Sequence, residues 1–237
     1  LPISPTNGAA TRAMNKTQLG YLLLLLALVA APFVGAYPIL VIKLLCFALF
    51  ASAFNLLLGF TGLLSFGHAA FFGGAAYAAG HAMKHWGLTP ELGLLFGALA
   101  GGALGFLFGL LAIRRQGIYF AMITLALAQM VFFFSLQAPF TGGEDGLQGV
   151  PRGKLFGVLD LSNDLTMYYA GLAIIAAAFL LIVRTVHSPF GQVLKAIKEN
   201  EPRAISLGYD TARFKLLAFV ISAAITASLS AMRGKLT

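Results

Sequence analysis

Long apolar runs separated by short polar connectors set the rhythm of this chain. An apolar run of about 20 residues, rising about 1.5 Å per residue, matches the hydrocarbon core of a bilayer. Seven runs are predicted as membrane-spanning helices, at about 19–36, 38–58, 62–83, 91–113, 118–136, 166–184 and 215–232. The first, "LGYLLLLLALVAAPFVGA", also has the flanks of a signal peptide, but the spans that follow favour an ordinary first helix. Residues 1–18 carry Pro2, Pro5, Gly8, Arg12 and Lys16 and read as a flexible tail. The remainder, 19–237, reads as one transmembrane domain with an outer loop at 137–165 and a polar segment at 187–214. The expected fold class is therefore all-α: a polytopic helical membrane protein of about seven spans.

The polar segment departs from the rest of the chain. In "GQVLKAIKENEPRAISLGYD" (191–210) charges cluster while apolar residues keep helical spacing. Ser188 is placed to cap a helix whose first position is Pro189. Val193, Leu194 and Ile197 line one face of that helix; Gln192, Lys195, Lys198 and Glu199 take the other. Asn200-Glu201-Pro202 ends it and opens a second helix, with Ala204, Ile205 and Leu207 on an apolar side. Gly208 suits a helix C-cap, and Asp210 an N-cap leading into the last span. Two short helices joined by a sharp turn result. One reading lays them on lipid headgroups; the other makes them a docking element for a soluble partner.

Composition agrees with the pattern. The 237 residues are 59% hydrophobic and 10% charged, with a mean hydropathy of +0.87. Soluble domains carry about 25% charged residues, so a water-facing surface cannot be built from this chain. The net charge of +8 would suggest nucleic acid in a soluble protein, but membrane proteins keep Lys and Arg on the cytoplasmic side. With the N-terminus in the cytoplasm, the inner loops hold Arg12, Lys16, Arg114, Arg115, Arg184, Lys195, Lys198, Arg203, Arg213 and Lys215. The outer loops then hold Lys84, Arg152 and Lys154 against Glu91, Glu144, Asp145, Asp160 and Asp164, and only Arg233 and Lys235 fall on the wrong side. That places the polar segment in the cytoplasm. Cys46, the single cysteine, lies in an apolar run and offers neither a disulfide framework nor a cysteine metal site.

Chemistry-bearing motifs are sparse. There is no phosphate-cradling G-x-x-x-x-G-K-[ST], no H-E-x-x-H and no G-x-S-x-G, so the chain does not read as an enzyme. His81 and His85 stand four apart but lack a third ligand nearby, and "GGEDG" lacks the alternating oxygens of a calcium loop. Gly93, Gly97, Gly101, Gly105 and Gly109 recur every four residues, a groove for close helix packing. Apart from charges at the terminal residues of spans, Lys43 is the one full charge within a span, near its outer end, and no span holds a buried acid. Ion-coupled transporters mark their path with such groups, so the energy source is expected outside this chain. Asn55, Thr61, Ser65, His68, Tyr119 and Thr124 are the uncharged polar candidates for a substrate pathway. Helix–helix hydrogen bonding competes for each of them and is the favoured reading.

Several stretches, in order, resemble permeases of branched-chain amino-acid (Liv-type) ABC importers. They are "NLLLGFTGLLSFGHAAFFGGAAY" (55–77), "GIYFAMITLALAQM" (117–130), "TGGEDGLQGVP" (141–151) and "GQVLKAIKENEPRAISLGYDTARFKLLAFVISA" (191–223). The resemblance covers roughly 38–223 and implies a permease subunit of the bacterial inner membrane, paired with a second, related permease. It also implies two cytoplasmic ATPases and a periplasmic substrate-binding protein, with no cofactor in this chain because a partner hydrolyses the ATP. Residues matching Lys195, Ile197, Lys198, Glu199, Asn200, Arg203, Ala204, Ile205, Leu207 and Gly208 would form the segment that docks in the ATPase. In that arrangement Ile197, Ala204, Ile205 and Leu207 hold the contact, and Lys198, Glu199 and Arg203 fix its register. Similar permeases carry urea and short amides, so the substrate does not follow from the family alone. The alternative reading is a secondary transporter or facilitative channel for a small polar solute such as urea or amides, and a non-transporting scaffold is a third. The stretch "ITASLSAMRGKLT" departs from the family pattern, which continues with further helices, so a truncated or altered C-terminal half is expected.

Overall fold

The structure, a computed structural model, describes residues 20, 24–35, 37–115, 117–138, 141–143, 154–155, 159–160 and 163–233. The expected tail at 1–18 and most of the expected outer loop, including Glu144, Asp145 and Arg152, lie outside the described residues. Apart from turns and irregular connections, the described chain is helical except for two short antiparallel strands, β1 (Lys154–Leu155) and β2 (Leu159–Asp160). Its helices are α1 (Pro38–Thr61), α2 (His68–His85), α3 (Pro90–Ala112), α4 (Ile118–Gln137), α5 (Asp164–His187), α6 (Pro189–Glu199), α7 (Glu201–Ser206) and α8 (Thr211–Arg233). Proline stands in the first turn of α1, α3, α6 and α7, where its missing N–H costs nothing and its fixed φ suits the helix.

Five helices are long and apolar enough to cross a membrane by length and composition: α1, α3, α4, α5 and the Thr211–Ser228 part of α8. Of the first expected span, 19–36, the described residues include the apolar helix Leu24–Phe33. It is fastened to α5 by the Tyr168 hydroxyl, which donates to the Leu28 carbonyl at 2.6 Å. One apolar core joins α1 to α5 through Ile42, Cys46, Leu49, Met167, Leu172 and Ile175. A second joins α2, α3, α4 and α8 around the rings of Phe71, Phe108, Phe120 and Phe219.

The glycine series on α3 lies buried. A Cβ on Gly101 would stand 2.0 Å from the Ala227 Cβ, and one on Gly105 2.5 Å from the Ala223 Cβ. On Gly109 it would meet Leu216 Cδ1 at 2.4 Å, and on Gly93 the Met83 Sδ at 2.6 Å. The stripe therefore runs along α8 antiparallel and ends against α2. Without water to drive helices together inside a bilayer, such close backbone approach is what holds them.

The expected third span needs correction. The apolar run 62–83 is not one helix: α1 ends at Thr61, the following Gly62 is left-handed with a φ of +73°, and helix resumes only at His68. Small residues and hydroxyls are equally at home in spans and in breaks, so hydropathy alone could not separate them.

Candidate functional site

Among the described residues, two regions carry polar chemistry: the break between α1 and α2, and the knuckle formed by α6 and α7. In the break, side-chain hydroxyls satisfy the backbone that the helix no longer does. The Leu63 N–H donates to Thr61 Oγ1 at 3.4 Å, Gly67 N–H to Ser65 Oγ at 3.2 Å, and Phe66 N–H to Thr124 Oγ1 of α4 at 3.2 Å. Thr124 in turn donates to the Ala121 carbonyl at 2.9 Å. Irregular backbone at membrane depth is tolerated only where such partners exist or where it borders a cavity.

His68, the first residue of α2, fixes how far the break folds back. Its Nε2 lies 2.8 Å from Ser222 Oγ of α8, and that hydroxyl donates to the Ala53 carbonyl of α1. Because the Ser222 proton is committed to Ala53, the imidazole must donate through Nε2, leaving Nδ1 as a buried lone pair without a partner. At about 1.5 Å per residue, Ala53 lies about 12 Å along α1 from its Thr61 end. The break therefore re-enters the bundle, and α2 begins well inside it. The rings of Phe50, Phe54, Phe71 and Phe219 pack edge-on around the imidazole, 5.4 to 6.4 Å away.

The knuckle is built as its sequence suggests. The Ser188 hydroxyl accepts from Gly191 N–H at 3.4 Å, Asn200 Oδ1 from Arg203 N–H at 3.1 Å, and Asp210 Oδ1 from Arg213 N–H at 3.2 Å. Gly208 has a φ of +87°. Gly191 admits no side chain, since a Cβ would sit 2.2 Å from the Val186 carbonyl oxygen at the turn out of α5.

Three contacts tie the knuckle to the spans. Lys198 Nζ donates to the Gly59 carbonyl, in the last turn of α1, at 2.7 Å. Lys195 Nζ stands 5.4 Å from the centroid of the Phe60 ring. Lys215, 5% exposed near the start of α8, is paired with Glu201 of α7 at 2.5 Å. The α1 end and the knuckle thus share one side of the bundle, the arrangement that the charge distribution predicts.

The ten expected docking residues divide by exposure. Ile197 and Ala204, expected to hold the partner, are buried at 2% and 3%, with Leu194 at 0%; they hold the knuckle to the chain's own spans. The exposed apolar residues are Ile205 at 56%, Leu207 at 69% and Tyr209 at 41%. Lys195, Lys198, Glu199, Asn200, Arg203 and Gly208 are exposed around them. A short helix must bury one side, and the periodicity alone could not say which apolar residues face inward. The pathway candidates divide similarly. Thr61, Ser65, His68 and Thr124 are buried in hydrogen bonds within the chain, whereas Asn55 and Tyr119 are exposed.

Sequence reasoning missed Ser222, Gly191 and the Glu201–Lys215 pair. Lys215 offered a signal, a cation just inside an apolar run. His81 and His85 lie with ring centroids 4.3 Å apart, and no group of three metal-ligating side chains occurs among the described residues.

A bundle of long apolar helices, with a re-entrant break between α1 and α2 and a capped polar knuckle at one end, defines a multi-pass membrane protein. A family model described as branched-chain amino acid transport system / permease component matches residues 37–233, and the chain belongs to that family. It is 28% identical to the high-affinity branched-chain amino acid transport system permease protein LivM of Salmonella typhimurium, over 88% of this chain and 55% of the relative. The LivM protein of Escherichia coli matches with the same identity and coverage. The chain spans about half the length of the curated relatives it matches. No solved structure matches.

Proposed function

We propose that the chain is the membrane-spanning permease subunit of an ATP-driven importer of branched-chain or related amino acids. It carries out no bond chemistry; it alternates access while cytoplasmic ATPases, docked on the knuckle, supply the energy. A second related permease and a periplasmic binding protein complete the assembly in the bacterial inner membrane, with the N-terminus of this chain in the cytoplasm. The observation that carries the reading is the knuckle itself. It presents Ile205, Leu207 and Tyr209 beside Arg203 and Glu199 while being pinned to α1 and α8. An amphipathic loop resting on lipid needs no such pins; an element that receives a push does.

The re-entrant break supports a substrate path beside it. Leu64 and Phe66 of the break are 39% and 52% exposed, and irregular backbone does not face hydrocarbon. We read that face as one that meets a partner permease or the aqueous path, with Asn55 exposed on α1 about two turns before it.

The test is ATP hydrolysis in vesicles holding this chain with its partner permease and ATPases. Binding protein loaded with a branched-chain amino acid should stimulate hydrolysis and drive uptake above the level given by unloaded binding protein. Uptake that is indifferent to ATP would favour a facilitator for small polar solutes; binding of the ATPases without any uptake would favour a scaffold.

A further inference from the structure

We infer that Lys198 is a positioning residue that carries motion of the knuckle into the re-entrant break, acting through the end of α1 rather than through the ATPase. This rests on the reading of the knuckle as the ATPase-docking element. The last carbonyls of a helix have no partner within it and carry the negative end of its dipole. Lys198 supplies a charged donor to one of them, Gly59, at 2.7 Å. Its stem also lies over the next turn: a Cβ on Gly62 would stand 3.4 Å from Lys198 Cγ. Gly62, at φ +73°, is where the chain leaves α1 for the break.

From Gly62 the path is short and bonded. Thr61 holds Leu63, and Thr124 of α4 holds Phe66. A shift of α6 along its axis thus moves the Gly59–Gly62 turn directly, and with it the segment that leads to His68. Lys195 over Phe60 steadies the same turn from about one turn earlier on α6. A charged donor bonds a carbonyl more strongly than a neutral one, although solvent moderates this exposed contact, and a flexible ammonium can follow its acceptor through small rotations.

The test compares wild type, Lys198→Met and Lys198→Arg in the complete transporter, with Met keeping the stem and Arg restoring a donor. Three readings are taken: ATPase retention in detergent, uptake per ATP hydrolysed in vesicles, and amide hydrogen exchange at 59–67. Lys198→Met should retain the ATPase, lose uptake per ATP by about tenfold and exchange faster at 62–67, with Arg recovering most of each. Loss of ATPase retention by Lys198→Met would make Lys198 a docking contact and overturn the inference. An unchanged transport ratio, or unchanged exchange at 62–67, would overturn it as well. If wild type itself fails to retain the ATPase, the functional reading falls first, and this inference with it.

Discussion

Ser222 is a small side chain with a large share of the architecture. One hydroxyl bridges α8 to α2 through His68 and to α1 through Ala53, inside an aromatic shell. Ser222→Ala leaves the imidazole with both nitrogens unpartnered and the Ala53 carbonyl with one bond fewer. The expected cost is about 1–3 kcal/mol, the usual penalty for stranding a buried donor. Thermal unfolding in detergent checks it: the midpoint should fall by several degrees (on the order of 2–4 °C per kcal/mol for a chain of this size). An unchanged midpoint would mean that the Ser222 bridge contributes nothing. His68 was legible in the sequence as a packing residue with a hydrogen bond, but its partner was not. Nothing marks Ser222 apart from the other small residues of its span until the fold brings α8 across the break.

Among the elements, α3 and α8 are locked by their small residues. Gly105→Leu would force a side chain into space where even a Cβ stands 2.5 Å from Ala223. The helices must separate, at a cost of about 3 kcal/mol or more. Gly102 is the control on the same helix, since a Cβ there meets Ala224 at an ordinary 3.6 Å. Gly102→Ala should leave the unfolding midpoint near wild type while Gly105→Leu lowers it and exposes α8 to protease; equal behaviour of the two would contradict the packing account. The glycine period announced a close crossing from sequence alone, because backbone approach requires small residues at that spacing. Its partner had no such signature, since alanines are common on every face of α8. The existence of α1, α3, α4, α5 and α8 was legible because a span must be apolar along its length. The break at 62–67 was not, because hydroxyls from Thr61, Ser65 and Thr124 make irregular backbone as acceptable as helix.

In the whole molecule, the knuckle faces two ways. Its inner side, Leu194, Ile197 and Ala204, belongs to the bundle, and the Lys198–Gly59 and Glu201–Lys215 contacts fasten it to α1 and α8. Its outer side offers Ile205, Leu207 and Tyr209. Caps, turn and helix order in this region could be read from Ser188, Pro189, Asn200, Gly208 and Asp210. Which apolar side looks outward depends on the spans behind it, and only the fold supplies that. Substitutions at Ile205 and Leu207 should therefore disturb a partner and spare the fold, whereas substitutions at Ile197 would do the reverse. The decisive measurement is retention of the cognate ATPase by this chain in detergent, comparing wild type with the Ile205→Asp/Leu207→Asp double variant at equal unfolding midpoints. Wild type should hold the ATPase, and the double variant should weaken retention by at least about tenfold, as loss of two central apolar anchors implies. Equal retention by the two would contradict a knuckle that docks the ATPase through its exposed apolar side.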